Sequence, residues 1–250
     1  MLKSLFTFLF VCVFCFSAFA EVRSSWDPFH FNLYNQPERP RDVFWPALGS
    51  LLLPGLDQWW EGQYGAGVLY SGVGGFGLSV YQQNKESLES GSANPNDFDE
   101  VSDGSRRAIW GAQIYQTMGS LSAYHSFRTA VKSHRKTDVG AFYFLGQHEE
   151  TTKDLLIAPF HLELLARPTT FIPLGLLALG AFTAMGDGER RALSGGEALF
   201  VGGVSYNAGV GEEALFRGWM YPMLTESWDS PTWANIFQST LFAVGHINED

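Results

Sequence analysis

Cysteine is almost missing from this chain of 250 residues. Cys12 and Cys15 are the only two, and both lie in an apolar N-terminal stretch. Their spacing resembles that of a redox pair, but they read as two apolar fillers in a hydrophobic run. If that stretch is removed on export, the mature chain holds no thiol. Disulfides, thiolate metal sites and a cysteine nucleophile are then excluded. Basic residues are also scarce: 16 Lys and Arg stand against 26 Asp and Glu, a formal charge of −10. That balance argues against nucleic acid, or an anionic lipid surface, as the main partner. From Ala198 to Leu224 charge is missing altogether, except at Glu212, Glu213 and Arg217.

What the chain does have is apolar and aromatic: 46% hydrophobic residues, with 8 Trp and 21 Phe, and its polar residues gathered into a few stretches. The first twenty residues read as a secretory signal peptide. Lys3 is the positive start, Leu5 to Phe16 the apolar centre, and Ala18-Phe19-Ala20 before Glu21 the small-x-small cleavage pattern. An uncleaved first membrane helix is the alternative.

The remainder divides at about residue 150. Residues 21–150 form an N-terminal membrane-associated region, and 151–250 a core region expected to be incomplete at its C-terminal end. Residues 21–44, with Pro28, Pro37 and Pro40, read as an extended lead-in. Trp45 to Tyr81 is apolar and glycine-rich, interrupted by Asp57-Gln58-Trp59-Trp60-Glu61. This pattern predicts a helical hairpin or re-entrant pair with a polar, Trp-bearing tip at the membrane interface, its glycines allowing close helix approach. Residues 82–105 read as an acidic loop. Ala108 to Tyr124 is the next apolar segment, and 125–153 reads as a basic loop, with Arg128, Lys132, Arg135 and Lys136 holding it inside. Leu155 to Met185, broken by Pro159, Pro168 and Pro173, crosses once or folds back. After a polar turn at Asp187–Arg191 come two last segments, Gly195–Leu224 and Trp233–Ile247. The expected fold class is therefore all-α: a polytopic membrane helical bundle behind a signal peptide, multi-pass, in a bacterial inner membrane.

The chemistry lies in the last sixty or so residues. Ionisable side chains at membrane depth are costly, so an intramembrane cluster points to function. In a helix, Glu213 and Arg217 share a face at i, i+4, in the favoured acid-before-base order. Glu212 points about 100° away and finds Phe216, not a cation, at its own i+4 position. Glu213 is then held by Arg217 while Glu212 stays free. His246 closes the next apolar segment, and two antiparallel helices joined around Trp228–Thr232 would bring it opposite Glu212. A carboxylate and an imidazole can together activate a water for attack on an amide. A divalent metal such as zinc could assist, but two ligands make an incomplete site. The plainer alternatives are a structural Glu213–Arg217 ion pair and a solitary histidine at a membrane boundary. His30, His125, His134, His148 and His161 take that plain reading, and His134, four residues before Asp138, is expected to be solvated.

The pattern resembles the CPBP family of intramembrane proteases, which includes CAAX prenyl endopeptidases and bacterial bacteriocin-processing or self-immunity proteins. Its EExxxR motif is matched by Glu212, Glu213 and Arg217, and its FxxxH motif by Phe242 and His246. The resemblance covers about residues 195–250. It implies an intramembrane endopeptidase in which Glu212 and His246 activate the hydrolytic water, while Glu213 and Arg217 support the site. The implied partners are the lipid bilayer and a peptide or membrane-protein substrate. The family's third motif, a histidine followed four residues later by Asn or Asp on a later helix, has only His246–Asp250 to match it, and His246 already serves the second motif. The site is accordingly expected to be incomplete. A non-catalytic scaffold or immunity protein of the same lineage is the alternative, with an ion- or proton-coupled transporter using Glu212 as a third reading.

Overall fold

The structure is a computed structural model that describes residues 40–90, 102–138, 141–145, 150–167 and 194–246, together with Ile172, Gly175, Leu176 and Leu179. The signal peptide assigned to 1–20, with Cys12 and Cys15, lies outside the described residues. So do His30, His148, the Asp187–Arg191 turn and most of Phe171–Met185, where the single-crossing question rests.

All regular structure among the described residues is helical, as the all-α reading expects. In chain order it comprises α1 (Trp45–Leu52), α2 (Leu56–Trp60), α3 (Tyr64–Ser90), α4 (Asp103–Thr137), α5 (Thr152–Ile157), a 3₁₀ turn (Ala158–Phe160) and α6 (Leu162–Leu165). Then follow α7 (Gly195–Glu212), a π-helical stretch (Glu213–Met220), α8 (Tyr221–Trp228) and α9 (Pro231–Gly245). None of the described helices is long and apolar enough to cross a membrane. The reason lies in their make-up. α3 ends in the polar run Gln82-Gln83-Asn84-Lys85-Glu86, and α4 carries Arg or Lys near both ends.

Local chemistry sets the helix ends. Ser102 opens α4 by accepting from the Ser105 N–H. Thr151 with Asp154 and Ser194 with Glu197 form reciprocal capping boxes at the starts of α5 and α7, each satisfying two otherwise orphaned donors. α4 runs on through the basic stretch that reads as a loop in the sequence. His134, Arg135 and Lys136 occupy its last turn, where cations complement the helix dipole. α3 likewise extends into the expected acidic loop, as far as Ser90.

α4 is the mast of the molecule. α3 packs antiparallel on it through glycines: a Cβ on Gly111 would stand 2.5 Å from the Tyr81 nitrogen and 2.6 Å from the Gly77 oxygen. The helix beginning at Gly195 packs parallel to α4 on another side. There Gly203 lies against Trp110, Gly211 against Thr117 and Gly218 against Tyr124, so both chains advance by seven or eight residues per contact and the two backbones stay close along their length. The hydrophobic core draws on both halves of the chain: Ala47, Phe127 and Phe142 pack with Leu215, Trp219 and Leu224 in one buried cluster.

Part of the expected hairpin tip turns inward. α1, α2 and α3 follow one another through turns at Pro54-Gly55 and Gly62, and Asp57 and Gln58 are buried. Ser122 of α4 accepts from the Gly55 N–H (2.8 Å), donates from its hydroxyl to Gln58 Oε1 (2.6 Å), and accepts at its carbonyl from Gln58 Nε2 (3.1 Å). Arg41 pairs with Asp57 and sits 3.6 Å from Glu61. Trp59, Trp60 and Glu61 stay exposed. The sequence reading placed this cluster outward because its partners, Arg41 and Ser122, come from distant positions. A buried polar group needs such partners, and they draw the tip inward. His134 is half-buried and held by contacts. Its Nε2 meets the Arg41 carbonyl at 2.8 Å and its ring stands edge-on to Phe142. His125 is joined to the Tyr70 hydroxyl at 3.2 Å, and His161 is exposed.

Candidate active site

The hairpin carrying the charged motif is built from arms of nearly equal length. Tyr221–Trp228 continues the π stretch. Asp229 adopts a left-handed conformation (φ 49°), which ends the helix. Ser230 then caps α9 by accepting from the Trp233 N–H, with Pro231 in the first turn, where its missing N–H costs nothing. Fifteen residues of α9 rise about 22 Å. That returns the chain to the level of Glu212, which lies at a similar distance before the turn.

At that level the four sequence-derived residues meet in two pairs. His246 Nε2 stands 3.4 Å from Glu212 Oε1. Arg217 Nη1 stands 3.0 Å from Glu213 Oε2. The division of roles between adjacent glutamates is thus a matter of geometry: one faces the histidine and the other faces the arginine. Neither pair lies in the protein core. Glu212 is 35% and His246 54% exposed, and Arg217 is exposed beside a half-buried Glu213. An exposed i, i+4 pair contributes little to stability. Arg217→Gln is expected to change the unfolding free energy by under about 1 kcal/mol, read from denaturant titration; a larger loss would mean the pair holds the fold.

The imidazole is oriented from both sides. Its Nδ1 lies 2.7 Å from the Phe242 carbonyl, one of the oxygens left without a helical partner at the end of α9. A carbonyl can only accept, so Nδ1 carries the proton and donates. In the neutral ring Nε2 is then an acceptor facing the Glu212 carboxylate. The Phe242 ring stacks on the imidazole, with centroids 4.3 Å apart at 30°. Phe242 in turn meets Phe216 of the π stretch edge-on at 5.3 Å. This explains the four-residue spacing from Phe242 to His246: one aromatic both supports the imidazole and docks it on the helix that bears Glu212.

The backbone under the motif is unusual. From Glu213 to Met220 the helix widens into π geometry, closed by a bond from the Tyr221 N–H to the Phe216 oxygen. Wide turns of this kind recur at functional sites. Ala214, Leu215, Phe216, Trp219 and Met220 point inward and are buried, which turns Glu212, Glu213 and Arg217 outward. Two contacts not anticipated from the sequence bracket the motif, Thr117 on Gly211 and Tyr124 on Gly218. The signal available was the spacing of Gly203, Gly211 and Gly218, which parallels that of Trp110, Thr117 and Tyr124.

Two acceptors that face each other across 3.4 Å repel unless a proton lies between them or a water bridges them from the side. The pair can therefore share one proton, or hold one water by both its O–H bonds. As metal ligands, Glu212 and His246 supply one oxygen and one nitrogen. Among the described residues no group of three or more His, Cys, Asp or Glu side chains gathers to hold an ion, so these residues do not fit a closed zinc site.

Residues 194–250 match the family model described as Rce1-like, type II CAAX prenyl endopeptidase. The match spans the stretch that carries both motifs and is consistent with a CPBP-type protease. No curated protein and no solved structure matches the chain.

Proposed function

We propose that the chain is a membrane-embedded endopeptidase of the CPBP type, hydrolysing a peptide bond with water activated by Glu212 and His246. The observation that carries this reading is the 3.4 Å approach of His246 Nε2 to Glu212 Oε1, with Nδ1 tied to the Phe242 carbonyl. A water set beside the pair, about 2.8 Å from each acceptor, donates one O–H to the carboxylate and the other to Nε2. Its oxygen attacks the scissile carbonyl carbon as Glu212 takes the proton. The C–N bond then breaks, and that proton passes to the departing nitrogen. The products are a carboxylate and an amine. Here Glu212 is the general base and later the acid. His246 orients the water. Glu213 and Arg217 hold charge of both signs beside the reacting groups without joining the proton transfer.

The bilayer supplies the surroundings for the apolar side chains on the outside of the bundle, such as Val68, Leu69, Val73 and Phe76 along α3. A peptide or membrane-protein substrate follows from the same assignment, and a prenylated CAAX-type peptide is the first to try because of the family match. The test is hydrolysis of such a reporter, prenylated or bare, by the full chain in liposomes prepared in heavy-oxygen water. The reading expects one heavy oxygen in the newly formed carboxylate. Absence of cleavage of either reporter, with Glu212-dependent ion flux instead, would replace it with the transporter reading.

A further inference from the structure

Glu212 ends α7, and Glu213 and Arg217 stand on the wide turn that follows, which takes support from outside its own hairpin. The support comes from α4 at both ends of the motif. Immediately before Glu212, a Cβ on Gly211 would lie 3.3 Å from the Thr117 α-carbon and hydroxyl. The Thr117 hydroxyl also donates to the Asn207 carbonyl at 2.9 Å. Immediately after Arg217, the bare α-carbon of Gly218 rests on the Tyr124 ring. A Cβ there would lie 2.5 Å from Tyr124 Cδ2, 2.8 Å from Cε2 and 3.4 Å from the Glu213 carbonyl.

The ring cannot readily yield. Tyr124 is 1% exposed, its hydroxyl donates to the Glu150 carbonyl at 3.0 Å, and it packs in one cluster with Leu121, Val210 and Ala214. Any group added at Gly218 must therefore move the motif turn and not the ring. That turn also bears Phe216, which sets Phe242 and through it the imidazole. A shift at Gly218 is thus passed to the distance between Glu212 and His246.

We propose that Tyr124 is a positioning residue for the Glu212–His246 pair, acting through its ring seated on Gly218. This rests on the hydrolytic reading for its kinetic consequence, though its geometric consequence can be measured without any activity. Misplacement by about 1 Å can cost about 10²-fold in rate. Gly218→Ala is expected to lower kcat by about that factor with KM little changed.

The geometric test uses full chains in liposomes in which Cys12 and Cys15 are replaced by serine, leaving no other cysteine. A Phe216→Cys/Phe242→Cys pair is treated with a short bis-thiol cross-linker. A Trp228→Cys/Phe237→Cys pair across the α8–α9 turn, where the native rings are 5.3 Å apart, serves as the control. Gly218→Ala should slow cross-linking at the first pair and not at the control. Adding Tyr124→Val should restore it, because the smaller side chain makes room for the new methyl group. Unchanged cross-linking in Gly218→Ala would overturn the proposal, as would loss at both pairs that Tyr124→Val does not restore. If cross-linking behaves as expected but no variant cleaves any reporter, the positioning role stands and the hydrolytic reading falls.

Discussion

Glu212→Gln is expected to lower kcat by about 10²–10⁴-fold with the protein still folded. Glutamine keeps the size and shape of glutamate and can still face His246. It cannot take a proton from water. The side chain is 35% exposed and its neighbour is His246, so the exchange breaks no packing in the core. Glu213→Gln is the informative comparison. Glu213 faces Arg217 at 3.0 Å and not the imidazole, so its replacement should cost much less. Equal losses for the two substitutions would mean that the adjacent glutamates do not divide their roles as their contacts divide them.

Asp57→Ala is expected to be the most destabilising single change in the polar cluster, at about 3–5 kcal/mol. Arg41 and Asp57 side chains are 14% and 8% exposed, so removing the carboxylate leaves a guanidinium out of water with, among the described residues, only Glu61, 3.6 Å away, to offset it. The loss should also loosen the chain entry, because the Arg41 backbone is fastened to α4 at both ends. Its N–H donates to the Ser133 hydroxyl at 3.3 Å, and its carbonyl meets the His134 ring at 2.8 Å. Arg41→Met combined with Asp57→Leu should recover most of the stability, since a buried pair replaced by apolar side chains is often close to neutral. Urea denaturation of the three chains measures this. A double variant as unstable as Asp57→Ala would show that the cluster holds the fold through more than charge compensation.

These two sites differ in how far the sequence reveals them. Glu212, Glu213 and Arg217 stand out because they interrupt an otherwise uncharged run. Their pairing is local, fixed by helix periodicity and by a turn that Ser230 and Pro231 announce. The meeting with His246 follows from arm length. Asp57 is the opposite case. Its burial depends on Arg41, and that of its neighbour Gln58 on Ser122, 64 positions along the chain. No periodicity encodes that approach, so the segment reads as a polar tip. Charge also misleads at the end of α4, where Arg128 to Lys136 suggests a loop. The helix continues there because long, straight-chain residues are good helix formers and the C-terminal end of a helix favours cations. The π stretch could not be read at all. Its residues would suit an ordinary helix, and the widening accompanies packing against α4, with Gly218 on Tyr124. Likewise, segments read as membrane-spanning by their apolar content fold into helices of which none, among those described, is long and apolar enough to cross a bilayer.

The most direct measurement is a double-mutant cycle on the rate of reporter cleavage with Glu212→Gln, His246→Gln and the two combined. Groups that activate one water act as a unit, and their losses do not multiply. The account predicts that the combined variant is no slower than the slower single variant, with cross-linking between positions 216 and 242 unchanged in all three. Losses that multiply, or a Glu212→Gln protein that cleaves at the wild-type rate, would contradict it.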